Sequence, residues 1–361
     1  MDINKEVICV TCNSKLTKIK NDVGDDGIFI CNSCDDLFPI INSIYVMLCP
    51  EDAFYNIEYN FFIKNEKFLN KNNLFYRYKK RLELIEKYSI NQSWEKEDVK
   101  YWDSKYNQRS IISASEIKPA LKIGGIRLYR RNKYFFNKIK EILKQKNITL
   151  LEIGCGEGDT VLNCLNPYYY NYYYIASDYS FNALLYLQNI YKGLNNVQLI
   201  QCSGSKLPFA DNAIDAIVGL GILHHMPKKE EELKNIIPKI SQHGYFMTFE
   251  AFVKDSKLPS VFKNIYDKWI EPDKSAHEER IDLKNFIRIS NQLGKLEFIK
   301  YEHTPLLTVL NKIFGKYINN NLVLTKLLFI LDDMVIYSIG KIIRLFKPGA
   351  CYAIIKKAGF L

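Results

Sequence analysis

The segment Leu150-Leu151-Glu152-Ile153-Gly154-Cys155-Gly156-Glu157-Gly158 constrains this chain more than any other stretch of it. Three apolar residues lead into glycines that permit a tight turn and close backbone approach to a ligand, and residues 160–165 then have helix character. A strand, a glycine loop and a helix in that order belong to an α/β domain, and Asp178 follows about twenty residues later. The spacing discriminates between cofactors. A dinucleotide fingerprint needs glycines at offsets 0, 2 and 5, whereas offset 5 from Gly154 is Asp159 and the third glycine sits at offset 4. Glu152, Glu157 and Asp159 surround the loop with negative charge, which disfavours a pyrophosphate at the helix start and favours a cofactor carrying positive charge.

The signals after the loop keep a definite order. Residues 172–177 read as a second strand with Asp178 at its end, residues 197–201 as a third, residues 216–220 as a fourth and residues 244–249 as a fifth. Between the third and fourth lies Lys206-Leu207-Pro208-Phe209-Ala210-Asp211-Asn212-Ala213-Ile214-Asp215, and Leu223-His224-His225-Met226 follows the fourth. Residues 148–250 thereby resemble the type 11-like class I S-adenosylmethionine-dependent methyltransferases, whose motif I is acid-x-Gly-x-Gly-x-Gly and whose fourth strand is entered through a Leu-Pro-Phe connection. The resemblance implies an α/β fold: a Rossmann-like seven-stranded sheet of order 3-2-1-4-5-7-6 with helices on both faces. It also implies a cofactor set of Glu152, Gly154, Cys155, Gly156, Gly158, Asp178, Tyr179, Ser203, Gly204 and Leu220, with Asp178 on the ribose hydroxyls and Tyr179 and Phe181 flanking the adenine. Where the family usually has Gly-Asp-Ala, this chain has Cys202-Ser203-Gly204, so the adenine amino group meets a hydroxyl, a weaker acceptor than a carboxylate.

Cys9-Val10-Thr11-Cys12 and Cys31-Asn32-Ser33-Cys34 form two Cys-x2-Cys knuckles, a spacing expected of a four-thiolate zinc site, with iron as the main competitor. Residues 1–6 carry acids and no apolar core, so no secretory leader is expected, and the remaining cysteines sit inside apolar runs like free thiols of a reducing, cytoplasmic compartment. Residues 37–48, Leu-Phe-Pro-Ile-Ile-Asn-Ser-Ile-Tyr-Val-Met-Leu, resemble the tail of the small zinc-ribbon family that includes methyltransferase activator subunits. A ribbon also precedes the catalytic domain in some rRNA guanine-N1 methyltransferases. Its plainest role is a stapled structural cap, because so short a piece buries too little apolar surface to be stable unaided.

The chain divides into a zinc ribbon at 1–50, a basic, mostly helical connector and cofactor lid at 51–146, and a methyltransferase domain at 147–361 with a helical, acceptor-shaping insertion at 303–348. Residues 64–146 hold 22 basic residues against 9 acidic ones, and so carry the whole formal excess of +10. Such a face suits an anionic partner, and its aromatics allow base stacking, although Lys, Asn, Ile and Tyr abound throughout the chain. Residues 94–106 and 127–131 resemble the N-terminal helices that cover the cofactor in this enzyme class. A helix is expected at 262–269 and a turn at 271–273. Charged residues interrupt the apolar stretch at 322–346, which excludes a transmembrane span, and Leu327, Ile330, Leu331, Met334 and Val335 recur at the spacing of a core-facing helix; a peripheral membrane contact is the rival reading.

A sulfonium methyl is displaced in line, so positioning carries most of the catalysis, and a general base is needed when the acceptor is a hydroxyl. His224 and His225 at the exit of strand four, and Glu250 at the end of strand five, are the base candidates. The leading expectation is a methyltransferase acting on a small-molecule or glycan-type acceptor. Its rivals are an rRNA or tRNA base methyltransferase that uses the ribbon and connector, and a catalytically silent binding module.

Overall fold

The computed structural model describes residues 7–89, 96–97, 99–101, 103, 113–116, 135–144, 148–226, 229–251, 283–302, 321–335 and 350–358. Four strands open the chain: β1 (Leu16–Lys20), β2 (Gly27–Cys31), β3 (Leu37–Ile41) and β4 (Ile44–Val46), paired as an antiparallel meander. Helices α1 (Tyr55–Lys64), α2 (Glu66–Lys71) and α3 (Phe75–Ser89) pack on it through Phe61, Phe62, Tyr78 and Leu82 against Ile28, Ile30 and Leu37. Helix α4 (Asn137–Leu143) then precedes β5 (Thr149–Ile153), α5 (Asp159–Leu165), β6 (Tyr173–Asp178), α6 (Phe181–Ile190), β7 (Val197–Gln201) and β8 (Ile214–Leu220). A 3-10 turn (Leu223–His225), α7 (Lys229–Ile236) and a second 3-10 turn (Ile237–Lys239) lead to β9 (Ile240–Ala251), α8 (Leu283–Leu293), β10 (Gly294–Glu302), α9 (Leu322–Val335) and β11 (Ala350–Lys357).

Alternation on the central strand builds the two layers. Leu151 and Ile153 of β5 face one buried cluster with Ile175, Ile217 and Phe246, while Leu150 faces the other with Tyr174, Val218 and the inner sides of α4, α5 and α6. All five residues of β5 are buried, as expected of a parallel strand covered on both faces.

The strands run in the order β1-β2-β3-β4-β7-β6-β5-β8-β9-β11-β10. From β7 onward this is the order 3-2-1-4-5-7-6, with the β10–β11 hairpin antiparallel at the far edge. The expectation of a seven-stranded sheet beside a separate small ribbon is corrected: among the described residues there is one sheet of 11 strands. Strand β7 would otherwise be an open edge with unpaired N–H and C=O groups. Strand β4 covers it in parallel, Tyr45 opposite Ile200 and Val46 opposite Gln201, and the pairing is prolonged by Met47 N to Gln201 O at 2.8 Å and Gln198 Nε2 to Ser43 O at 3.1 Å.

A buried ion-pair network ties α1 and α3 to the meander. The Arg81 guanidinium donates to Glu58 at 2.6 and 2.8 Å, to Asp36 at 2.6 Å and to the Leu48 carbonyl at 2.8 Å, and Tyr78 Oη also donates to Glu58. Asp36 accepts in addition from Thr11 Oγ1 at 2.8 Å, so one arginine joins both cysteine knuckles to the helices.

Among the described residues no helix is long and apolar enough to cross a membrane. Helix α9 forms where the apolar spacing places it, but Val323, Leu327, Ile330, Leu331 and Met334 are exposed, so the core-facing packing expected of it is not realised among the described residues. The expected helix at 262–269, the turn at 271–273, residues 127–131 and most of the 303–348 insertion lie outside the described residues.

Candidate functional site

The glycine loop closes as its composition demands. Gly154, Gly156 and Gly158 all have positive φ (+65°, +50° and +69°), and a Cβ on Gly154 would lie 2.6 Å from Ile222 Cγ2. Cys155 N donates to Ser177 O at 3.0 Å, which pins the loop to β6, and Leu162 N to Gly158 O starts α5. The loop borders a cavity of about 330 Å³, a size ordinary for a small-molecule site.

Asp178 ends β6 in the wall of this cavity. Its Oδ2 accepts from Gly156 N at 2.7 Å and its Oδ1 from Ser180 N at 2.8 Å. Burial raises the Asp178 pKa, and these backbone donors oppose the shift. Gly154, Gly156, Tyr179, Ser203, Gly204 and Leu220 also line the cavity. Ser203 shares a 2.8 Å hydrogen bond with Ser205, and a Cβ on Gly204 would fall 2.8 Å from Met226 Cε, so glycine there keeps the floor low.

Glu152, Cys155 and Gly158 are not among the residues that line the cavity. Glu152 is 3% exposed and accepts the Tyr174 hydroxyl. Burial, with a smaller push from the Asp178 charge, lifts its pKa to about 8 against the opposing Tyr174 bond. Burial thus works against the negative charge that the sequence places at this position. Phe181 packs against the second buried cluster and is likewise absent from the wall.

Of the three base candidates, His225 lines the cavity. His224 and Glu250 stand beside it: His224 Nδ1 lies 3.1 Å from Glu250 Oε2, and the two imidazole centroids are 4.3 Å apart. Glu250, fully buried, also accepts from Ile222 N at 3.2 Å, Leu223 N at 3.0 Å and Thr248 Oγ1 at 3.0 Å, so it anchors the turn that carries both histidines.

Sequence reasoning missed Val99, Ser205, Ile222, Met226 and Glu232 in the wall. Glu232 is the notable one, an acid 5% exposed on α7. Its signal was its place beside Leu233 and Ile236 on the inner face, hidden within a run of three glutamates. Two carboxylates and no lysine or arginine among the described wall residues suit a nucleoside bearing a sulfonium and would repel a pyrophosphate.

The N-terminal module reaches the same loops. Tyr179 Oη donates to Asp52 O at 2.8 Å, and Lys206 Nζ lies 3.0 Å from Asp52 Oδ2 and 3.1 Å from Cys49 Sγ. Farther from the cavity, the four sulfurs of Cys9, Cys12, Cys31 and Cys34 lie within 4.8 Å of one another, with Cys9–Cys34 at 3.6 Å and Cys12–Cys31 at 3.4 Å. A tetrahedral zinc with Zn–S bonds of about 2.3 Å requires S–S edges of about 3.8 Å, so the donor set and its spacing fit that ion. Thr11 N donates to Cys9 Sγ at 3.4 Å, a backbone bond that orients the first knuckle.

Residues 150–244 match the family model described as a methyltransferase domain. A comparison with curated proteins finds no match. Among solved structures, the MccD protein is 14% identical, with a TM-score of 0.44 over 62% of this chain and 96% of its own. Haemonchus contortus phosphoethanolamine N-methyltransferase 2, bound to phosphomonomethylethanolamine and S-adenosylhomocysteine, is 15% identical with a TM-score of 0.48 over 74% of this chain and 61% of its own. The same enzyme bound to S-adenosyl-L-methionine gives 14% and 0.46, over 71% of this chain and 60% of its own.

Proposed function

We propose that this chain is an S-adenosylmethionine-dependent methyltransferase acting on a hydroxyl or amine of a small-molecule or glycan-type acceptor, with a structural zinc held by Cys9, Cys12, Cys31 and Cys34. The methyltransferase-domain match at 150–244 supports the class. The observation that carries the cofactor is Asp178: two backbone N–H groups fix its carboxylate in the cavity wall, and its remaining lone pairs offer acceptors to a pair of ribose hydroxyls. Gly154 and Gly156 admit the amino-acid end of the ligand, while Tyr179, Ser203 and Gly204 border its base.

When bound, the cofactor supplies an electrophilic methyl group for in-line displacement. The chain's own residues position the acceptor, exclude water and receive its proton. His224 suits the last role: its Nδ1 lies 3.1 Å from Glu250 Oε2, a partner that favours the proton on Nδ1 and so Nε2 as the acceptor, and His225 stands in the cavity wall beside it. The insertion at 303–348 is the segment assigned to acceptor choice.

Isothermal titration of the zinc-loaded full-length protein with S-adenosylmethionine tests the reading. Saturable binding is expected, and no heat at millimolar cofactor would sink it. Elemental analysis tests the metal: about one zinc per chain is expected, falling towards zero in Cys31→Ser.

A further inference from the structure

We infer that the turn at residues 49–54, which joins the N-terminal meander to α1, positions the nucleoside end of the cofactor cavity, with Asp52, Phe54 and Lys206 as positioning residues that act through the wall and not on the ligand. The inference rests on the methyltransferase reading above.

Three segments of the cavity wall are tied to this one turn. Tyr179 follows Asp178 in the wall; its hydroxyl donates to Asp52 O at 2.8 Å, and its ring centroid lies 5.2 Å from that of Phe54. Ser203, Gly204 and Ser205 form a second segment, and the next residue, Lys206, reaches Asp52 Oδ2 at 3.0 Å and Glu51 Oε1 at 3.3 Å. Val99 belongs to a third, where Lys96 Nζ donates to Glu51 O at 3.1 Å. Asp52, Phe54 and Lys206 are not themselves among the lining residues.

The turn is itself well anchored. Asp52 N and Ala53 N both donate to Cys49 O at 3.0 Å, Cys49 Sγ donates to Asp52 Oδ2 at 2.8 Å, and Arg81 donates to the preceding carbonyl, Leu48 O, at 2.8 Å. Leu48, Ala53 and Ile85 form a buried cluster against which Phe54 and Tyr179 pack. Tyr179 therefore borders the cavity while its ring belongs to the apolar cluster of the N-terminal module, and Gln201 Nε2 fixes its carbonyl at 3.0 Å. A wall held in place before the ligand arrives has less freedom to lose on binding, and that saving appears as affinity. The coupling is reciprocal: if the turn strengthens binding of the nucleoside end, the bound nucleoside steadies the turn by the same factor.

Both directions are measurable without an acceptor. Full-length zinc-loaded protein is titrated calorimetrically with S-adenosylhomocysteine and with 5′-methylthioadenosine, which keeps the base, ribose and sulfur and lacks the amino-acid end. Phe54→Leu and Lys206→Met are each expected to weaken both ligands by the same factor, about threefold, the size set by an aromatic pair and a partly exposed ion pair. Unchanged affinities in the two variants overturn the inference, and so does a loss confined to S-adenosylhomocysteine, because the turn then acts on the amino-acid end. The wild type supplies a check that needs no variant. Saturating S-adenosylhomocysteine is expected to slow amide exchange at Asp52 and Ala53 by a larger factor than in β1, and an equal effect in both places overturns the inference. If neither ligand binds the wild type, the methyltransferase reading falls and this inference with it, whereas binding without the pattern removes the inference alone.

Discussion

Glu250 Oε2 lies 3.1 Å from His224 Nδ1, while the same carboxylate collects two backbone N–H groups and a threonine hydroxyl from the turn and strand around it. One acid at the end of β9 therefore sets both the position of the turn after β8 and the tautomer of its first histidine. Glu250→Ala is expected to cost about 2–4 kcal/mol in urea unfolding, because the buried donors of Ile222 and Leu223 lose their partner. Nitrogen NMR of the imidazole should show the Nδ1–H tautomer dominant in the wild type and that preference lost in Glu250→Gln.

Asp178 holds the cofactor reading together. Asp178→Ala is expected to weaken S-adenosylhomocysteine binding by about tenfold or more, since charge-assisted bonds to the ribose are removed. Calorimetry at constant pH measures this, and unchanged affinity would remove the ribose assignment.

The pH dependence of stability should carry the signature of Glu152. Its folded pKa of about 8 stands above the ordinary carboxylate value, so the folded state binds the proton more tightly than the unfolded chain does. The contribution is fully present below about pH 4.5 and is lost as pH rises towards about 8, an effect of a few kcal/mol. Glu152→Gln retains an acceptor for Tyr174 without the titration. Denaturant melts from pH 5 to pH 9 should show the variant gaining on the wild type as pH rises; parallel curves would contradict the assignment.

Arg81 is the keystone between the helices and the cysteine knuckles. Arg81→Met leaves Glu58, with 0% side-chain exposure, without its cation, and should destabilise the protein by about 3–5 kcal/mol. Pairing it with Glu58→Gln should recover a large part of that loss. A chemical-denaturation double-mutant cycle measures the coupling.

Much of the sheet was legible from local pattern. Strands β5 to β8 are short apolar runs bounded by turn residues, and the glycine loop announces itself by three alternating glycines, all of positive φ, the first with no room for a Cβ beside Ile222. The join of β4 to β7 was not legible: Tyr45-Val46 and Ile200-Gln201 carry no local mark of parallel partnership, which depends on which edge the rest of the sheet leaves open. Side-chain environment was the other gap. Glu152 and Glu232 are both acids in sequence, yet one is buried against a tyrosine and the other lies in the cavity wall, and only packing separates them.

The β4–β7 join also bears on the life of the nascent polypeptide. Ser43 and Gln198, bonded across it, are 155 residues apart. As the chain leaves the ribosome, the N-terminal meander emerges with a bare, hydrogen-bonding flank whose mate has yet to be translated. Closure must wait for the half of the sheet that carries β7, which makes this docking a long-range event in folding. Until then that flank is an unpaired edge of the kind that other strands can join.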